Sequence, residues 1–499
     1  MAAWALHTVP AFAANSWYLA TGPNASDTNP GTGTNPVKSV SKAMSLAKPG
    51  DTIIFSAGTY LCDDVVVPSG KQGLPITLRS AGNGPVILTI TGKTWKSVLQ
   101  LGSYNIIDGL HLLMTSQNPT WAGFSIVDKD HIIIQNCRIT APYIGIEVTN
   151  SHYLTIENCE MAYCRRKGIH FKGSGGGLEG HFNPTEKCSN VTVKNCYIHD
   201  AGWAIEEGTE GYGIACNGAM EMLTIENCLI DNNSNDGILY EDWTINAAAR
   251  YNIIRGTGGV AIWIDNSSMC VVENNFLTAN NAAIWLSGEE NSNRFLSDFI
   301  AVRNNIIVHN DAKAISPTLR NRDLILLQSN TRDVYFDNNT IAFNKNVRLV
   351  AATNRPPLNK FSNIWFRNNI FWENTGQVEI EPGINPAQFY FVNNLWSTPY
   401  AGDAKAKTGD PAFVDPKSNS PQGYKIKSGS AAIDHGLLLY ENQLDFLNGP
   451  RPHLPKSGAY DIGAHEFGTT GTAHIGLDLS KFPFEVPPYE IRFKAEPKK

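Results

Sequence analysis

The stretch IIIQNCRI at 132–139 is answered by LTIENCEM at 154–161, VTVKNCYI at 191–198 and LTIENCLI at 223–230, and its reading decides the fold. The phrase goes on as VVENNFL at 271–277, VRNNII at 302–307, FDNNTI at 336–341, FRNNIF at 366–371 and FVNNLW at 391–396. One supersecondary unit that recurs across most of a chain marks a solenoid. With the first Asn of each phrase as ruler, Asn136 to Asn158 is 22 residues, and Asn227 to Asn274 is 47, two turns with Tyr251 in the intermediate slot. Gaps of 37 (Asn158 to Asn195) and 34 (Asn304 to Asn338) are one turn plus an insertion. Such a unit is too short for paired helices, and its Ile, Val, Thr and aromatic residues alternate with polar ones, as in strands. Stacked in parallel, these units predict an all-β fold, a right-handed parallel β-helix with inward side chains in ladders.

Cys137, Cys159, Cys196 and Cys228 share the slot after the ladder Asn, and the same slot later holds Asn252, Asn275, Asn305, Asn339, Asn369 and Asn394. Shared register and an odd total of nine predict buried free thiols rather than a disulfide framework. No CxxC or HxxxH spacing suggests zinc. The 499 residues, 42% hydrophobic with 43 Gly, suffice for one elongated domain. A formal charge of −6 argues against nucleic acid or an anionic membrane as main partner. No apolar run approaches the roughly 20 residues of a membrane span. WALHTVPAFAA at 4–14 looks like the tail of a secretory signal without its basic start, so a secreted or periplasmic location is expected. The oligomeric state stays open.

Residues 17–60 hold a turn-rich opening, a short amphipathic helix near 38–47 and a strand after Pro49-Gly50. The helix is expected to cap the open end of the solenoid against edge-to-edge association. The opening WYLATGPNASDTNPGTGTNP and the later PGDTIIFSAGTY resemble secreted right-handed β-helix proteins that act on polysaccharides. GDPAFVDP at 409–416, KSGSAAIDHG at 427–436, NGPRP at 448–452 and YDIGAHEF at 460–467 look like a closing motif of bacterial β-helix carbohydrate enzymes. Their Asp434, His435, Asp461 and His465 follow the last clear rung and are read as ties of a terminal cap. The expected organisation is a signal remnant at 1–14, an N-terminal cap and first strand at 15–60, the β-helix at 61–400 and a C-terminal cap or extension at 401–499.

A second phrase places the chemistry: GIEVTN at 145–150, GIHFKG at 168–173, GIACNG at 213–218, GILYED at 237–242, AIWIDN at 261–266 and AIWLSG at 283–288. If each Ile points inward, alternation sends two columns outward. One is Glu147, His170, Ala215, Leu239, Trp263, Trp285; the other is Thr149, Lys172, Asn217, Glu241, Asp265, Ser287. Glu241 and Asp265 then lie on successive rungs, about 4.8 Å apart, near the roughly 5–5.5 Å between the carboxyls of retaining glycosidases. Like charges this close cannot both ionise cheaply, so one carboxyl is expected to hold a proton. Trp263 and Trp285 offer apolar ring faces to a sugar, with His170, Lys172, Asn217 and Glu147 as polar contacts. An outward acid on such a scaffold is commonly just solvated; their coincidence on contiguous rungs is what points to a site.

The stretch 237–275 is similar to the catalytic rungs of the β-helical β-xylosidases of glycoside hydrolase family 120. In that family a carboxylate followed by Trp closes one strand, and a second carboxylate takes the same column one turn later. The resemblance implies Glu241 as nucleophile and Asp265 as acid/base, without cofactor or metal. The family has Asp first and Glu second, so Asp242, directly before Trp243, is the other match for the first carboxylate.

Insertions at 173–190 and 199–212 are expected to overhang the face beside Lys172 and Asn217, and those at 288–300 and 345–362, further along, to wall off its other end. Glu206, Glu207 and Glu210 are candidates for a cation or a sugar hydroxyl, or a solvated loop. A lyase acting on a uronic-acid polymer is the alternative, with Lys172 as base, Ca²⁺ on Asn217, Glu241 and Asp265, and Arg165, Arg166 and Lys167 drawing in the polyanion. The motifs of pectate lyases, polygalacturonases and mannuronan epimerases are missing, and IWIDN at 262–266 only echoes the first. A third reading is a non-catalytic glycan-binding β-helix using Trp263 and Trp285.

Overall fold

The computed structural model describes residues 14–62, 65–90, 96–114, 121–173, 183, 185–202, 211–288, 297–312, 323–328, 330–354, 360–403, 405–452 and 459–477. The expected signal remnant, but for Ala14, and Glu206, Glu207 and Glu210 lie outside them. Three parallel sheets of 14, 12 and 14 strands run the length of the molecule. In one coil, Ala122–Val127 belongs to the 12-stranded sheet, Asp130–Gln135 to a second and Arg138–Thr140 to the last, after which Ile144–Thr149 pairs with Ala122–Val127. We name the sheet of Asp130–Gln135 the first, that of Arg138–Thr140 the second, and that of Ala122–Val127 the third.

The repeated phrase is the corner from first to second sheet. Ile132 and Ile134 point inward, and the ladder Asn makes the bend in the left-handed region, at φ 53° for Asn136, 52° for Asn158 and 57° for Asn274. Asn tolerates that conformation better than most side chains. The residue after it turns inside. Cys137, Cys159, Cys196 and Cys228 are fully buried there, and all nine cysteines are free and buried. Burial pushes the thiols of Cys164 and Cys270 up to about 12. From Asn252 onward the slot becomes an amide chain: Asn275 donates to Asn305 at 3.0 Å, Asn305 to Asn339 at 3.0 Å, Asn339 to Asn369 at 2.9 Å and Asn369 to Asn394 at 3.0 Å. Asp403 closes it, accepting from Asn394 Nδ2 at 2.9 Å.

A parallel ladder at the corner from second to third sheet, Thr257, Asn280, Asn310, Asn344 and Asn374, has no counterpart in the repeat we read. On the outside of the first sheet the last strand position alternates in sign along the axis: Glu157, Lys194, Glu226, Arg250, Glu273, Arg303, Asp337, Arg367.

The ends are built differently from the sequence expectation. The first strand, Ser16–Leu19, precedes the helix and pairs with Thr52–Phe55. The helix, Val40–Leu46, starts at Ser39, whose side chain accepts from Lys42 N at 3.2 Å, and buries Val40, Ala43 and Met44 on the core. The span 345–362, expected as an insertion, contains the third-sheet strand Arg348–Thr353.

The C-terminal segment does not cap the end. It turns back along the corner between first and second sheets, where the outward amides of the bend Asn residues donate to its backbone: Asn393 to His435 O at 2.7 Å, Asn368 to Leu437 O at 2.8 Å, Asn338 to Asp461 O at 3.0 Å, Asn304 to Leu444 O at 2.9 Å and Asn274 to Phe446 O at 2.8 Å. Asp434, His435, Asp461 and His465 therefore anchor a strap along the side, with Asp461 accepting from Asp434 N at 2.8 Å. The solenoid's floor is covered by Tyr400, whose ring meets Phe391 at 4.9 Å and Trp396 at 5.5 Å.

Candidate active site on the third sheet

The register of the third sheet places Glu147, His170, Ala215, Leu239, Trp263 and Trp285 in one line and Thr149, Lys172, Asn217, Glu241, Asp265 and Ser287 in the next. The Gly of each GI phrase sits where the coils approach most closely: a Cβ on Gly168 would lie 2.6 Å from Gly213 O and 2.5 Å from Ile198. That bend breaks the simple alternation and brings Lys167, two residues before the inward Ile169, onto the same outer surface. The long connections 173–187, 200–211, 288–296 and 309–322 all begin or end at third-sheet strands, whereas first-to-second corners such as 136–137 and 274–275 have two residues. Long loops on a rigid scaffold are where binding is usually built.

A polar chain runs across these rungs. Trp121 donates its indole N–H to Glu147, and His170 Nδ1 lies 4.0 Å from the other carboxylate oxygen. Asn217 Oδ1 accepts from Lys167 Nζ at 2.6 Å, and His170 Nε2 is 3.0 Å away. The amide of Asn217 in turn donates to Glu241. Beyond it, Asp265 accepts from Ser287 Oγ at 2.6 Å, and Ser287 accepts from Trp263 Nε1 at 2.8 Å. Glu241 is half-buried, while Asp265 is only 2% exposed.

Burial pushes the Glu147 carboxyl up, against the pull of the Trp121 bond and of Lys172 and Lys167. Burial, with the neighbouring Lys167 charge, brings His170 down to about 3, so it is a neutral ring at any ordinary pH. Lys167, 5% exposed and with its ammonium 5.4 Å from the Tyr212 ring centroid, is therefore the fixed cation of the cluster. Lys167 was read only as part of a basic run, and Trp121 not at all. Their one signal is positional: Lys167 shares its register slot with Ile144 and Tyr212.

The remaining residues fall in different places. Asp242 and Trp243 lie in the bend after the strand, at φ 52° and 70°, and Asp242 accepts from Asn266 at 3.2 Å. Asp242 thus belongs to a turn column with Asn150 and Asn266, both left-handed too, rather than to the line of Glu241 and Asp265. Lys172 is exposed at its strand end, beside Asn217. Trp263 and Trp285 do not form a flat platform: their rings meet edge to face at 5.7 Å and 75°, and Trp285 Nε1 donates to Asp323 O at 2.9 Å.

Residues 122–300 match the family described as a right-handed beta helix region. The chain folds as a right-handed parallel β-helix. Solved structures similar to it include XylC in complex with xylose, at 12% identity over 91% of this chain and 99% of that one, TM-score 0.51. A glycoside hydrolase family 136 lacto-N-biosidase from Eubacterium ramulus aligns at 14% identity over 74% of this chain and 68% of its own chain, TM-score 0.51. The polysaccharide lyase family 6 alginate lyase AlyGC aligns at 15% identity over 85% of this chain and 60% of its own, TM-score 0.56. At these identities the likeness is one of fold. An uncharacterised protein of Bacillus subtilis (strain 168), YwoF, is 38% identical over 72 residues, 14% of this chain, and the β-helix spans only 15% of that protein's length. Among the described residues no helix is long and apolar enough to cross a membrane.

Proposed function

We propose that this β-helix is a secreted carbohydrate-active enzyme, a retaining glycoside hydrolase whose reaction takes place on the third sheet. The observation that carries the reading is a pair of carboxylates, Glu241 and Asp265, side by side on adjacent strands. Both accept hydrogen bonds from oriented neutral groups, Glu241 from the Asn217 amide and Asp265 from the Ser287 hydroxyl. Hydrogen bonds from neutral donors orient an acid while leaving it able to act on a substrate.

In this reading Glu241 is the nucleophile. Asn217, polarised by Lys167, points its amide at Glu241 and favours the ionised form. Glu241 attacks the anomeric carbon as Asp265 gives its proton to the leaving oxygen, and Asp265 then takes a proton from the water that releases the sugar. The strand spacing of about 4.8 Å suits this two-step route. Trp263 and Trp285 line the sugar site, and two of the similar solved structures, the lacto-N-biosidase and XylC with its xylose, fit a saccharide substrate.

Calcium-assisted elimination fits these residues poorly. The Asn217 oxygen, which would have to ligate the cation, is occupied by the Lys167 ammonium at 2.6 Å, and Lys172 stands exposed at its strand end. Mass spectrometry of products from a panel of plant and bacterial polysaccharides and oligosaccharides, with and without chelator, tests the proposal. Products carrying one added water, unaffected by chelation and abolished by Glu241→Gln, are expected. Unsaturated products would refute hydrolysis, and sugar binding without turnover would leave a lectin-like β-helix.

A further inference from the structure

The two amide ladders end differently. In the first, Asn394 donates both its backbone N–H, at 3.0 Å, and its Nδ2, at 2.9 Å, to Asp403, an acceptor supplied by the chain. In the second, each member from Asn280 to Asn344 donates its backbone N–H and its amide to the oxygen of the next: Asn310 to Asn344 at 3.0 and 2.9 Å, Asn344 to Asn374 at 3.0 and 2.8 Å. At Asn374 the series stops. Its oxygen is used, and one amide hydrogen goes to Ile341 O at 2.8 Å, but its backbone N–H and its other amide hydrogen meet no acceptor among the described residues.

Asn374 lines a cavity of about 400 Å³ on the closing coil, walled by Phe371, Trp396 and Tyr400 and rimmed by Thr375 and Ser397. That volume lies within the roughly 300–1,000 Å³ of small-molecule sites. Aromatic walls with a few converging polar groups suit a ring with apolar C–H faces and an oxygen-rich edge. The cavity lies four third-sheet strands beyond Asp265, roughly 19 Å along the axis at the ordinary strand spacing, so it is separate from the candidate active site.

We propose that this cavity is a second saccharide site, in which a carbonyl, ring or hydroxyl oxygen of a single pyranose takes at Asn374 the place that Asp403 fills at Asn394. The ring then packs against Trp396 and Tyr400. The assignment rests on the cavity and the ladder end, and it stands whether or not the third sheet hydrolyses glycosides.

The test uses the full chain with Glu241→Gln, so that nothing is turned over, titrated with N-acetyl-D-glucosamine, D-xylose and D-galactose by saturation-transfer NMR and calorimetry. At least one sugar is expected to bind in the millimolar range. Ser397→Trp and, separately, Thr398→Arg, both exposed at the mouth, are expected to weaken that binding at least tenfold with unchanged Tm, while Trp263→Ala leaves it intact. Binding that survives both mouth variants, binding that Trp263→Ala removes, or no binding of any of the three sugars overturns the proposal. Loss of hydrolysis by the unmodified chain would bear only on the third sheet.

Discussion

In the first-sheet column that runs from Glu157 to Arg367 each acid is matched by a cation one rung away, as Glu157 is by Lys194 at 2.7 Å and Glu273 by Arg303 at 2.8 Å. On the third sheet Glu147 receives an indole N–H, Glu241 an amide and Asp265 a hydroxyl, and the enclosed ammonium of Lys167 reaches Glu241 through Asn217. Both faces grow from the same strand alternation and the same rung spacing. An ion pair ties an acid to the scaffold by charge, whereas a neutral donor orients a carboxylate without supplying a charge of its own.

The contrast breaks first, if it breaks, at Glu241. Glu241→Gln and Asp265→Asn should each lower kcat by about a thousandfold or more with Tm little changed, while Glu273→Gln keeps full activity. Should Glu241→Gln retain a tenth of wild-type turnover, the pairing of Glu241 with Asp265 carries no functional meaning. Next comes the relay: Lys167→Met should cost roughly tenfold to a hundredfold in kcat with KM nearly constant, because Asn217 loses the bond that aims its amide. A fall confined to KM would place Lys167 in binding instead.

Two buried histidines sharpen the comparison through pH. His170, on the third sheet, sits near 3 against an ordinary 6.5, so the unfolded chain binds the proton and stability falls as pH drops through that window. The loss is about 2 kcal/mol between pH 7 and pH 5, and His170→Gln should remove it from a Tm-versus-pH profile. His199, on the second sheet, is pulled down by burial but raised on balance by Asp200 at 2.7 Å and Glu160 at 3.1 Å. Its stabilisation is complete below pH 6.5 and is lost as pH climbs through its raised value, so His199→Gln should flatten the alkaline side. The smallest effect belongs to the first sheet: Arg303→Gln should cost at most about 1 kcal/mol by chemical denaturation, and a larger loss would mean that the charge ladder does more than tile the surface.

Much of this was legible in the chain. The corner phrase repeats because each coil needs a left-handed bend residue followed by an inward one, so Asn136 and Cys137 expose period and register at once. The two outward columns followed from alternation, which is how Glu241 and Asp265 could be paired. Lys167 was hidden because close coil contact at Gly168 breaks that alternation. The edge-to-face turn of Trp263 against Trp285 was hidden as well, since it depends on Ser287 and the Asp323 carbonyl capturing the indole N–H groups. The C-terminal motif was recognisable, but its path was not: the amides that hold the strap belong to bend residues up to 172 positions earlier, as in the bond from Asn274 to Phe446.

By itself, then, the sequence determined the solenoid, its repeat, the buried thiols and the rungs on which acids and aromatics gather, because each of these depends on local periodicity and burial. Which donors the acids accept from, where the strap runs, and that one amide ladder closes on Asp403 while the other opens into a cavity were decided by the tertiary structure. Those outcomes depend on which donor reaches which acceptor across rungs, and strand spacing, corner geometry and close coil contacts set that only once the coils are stacked.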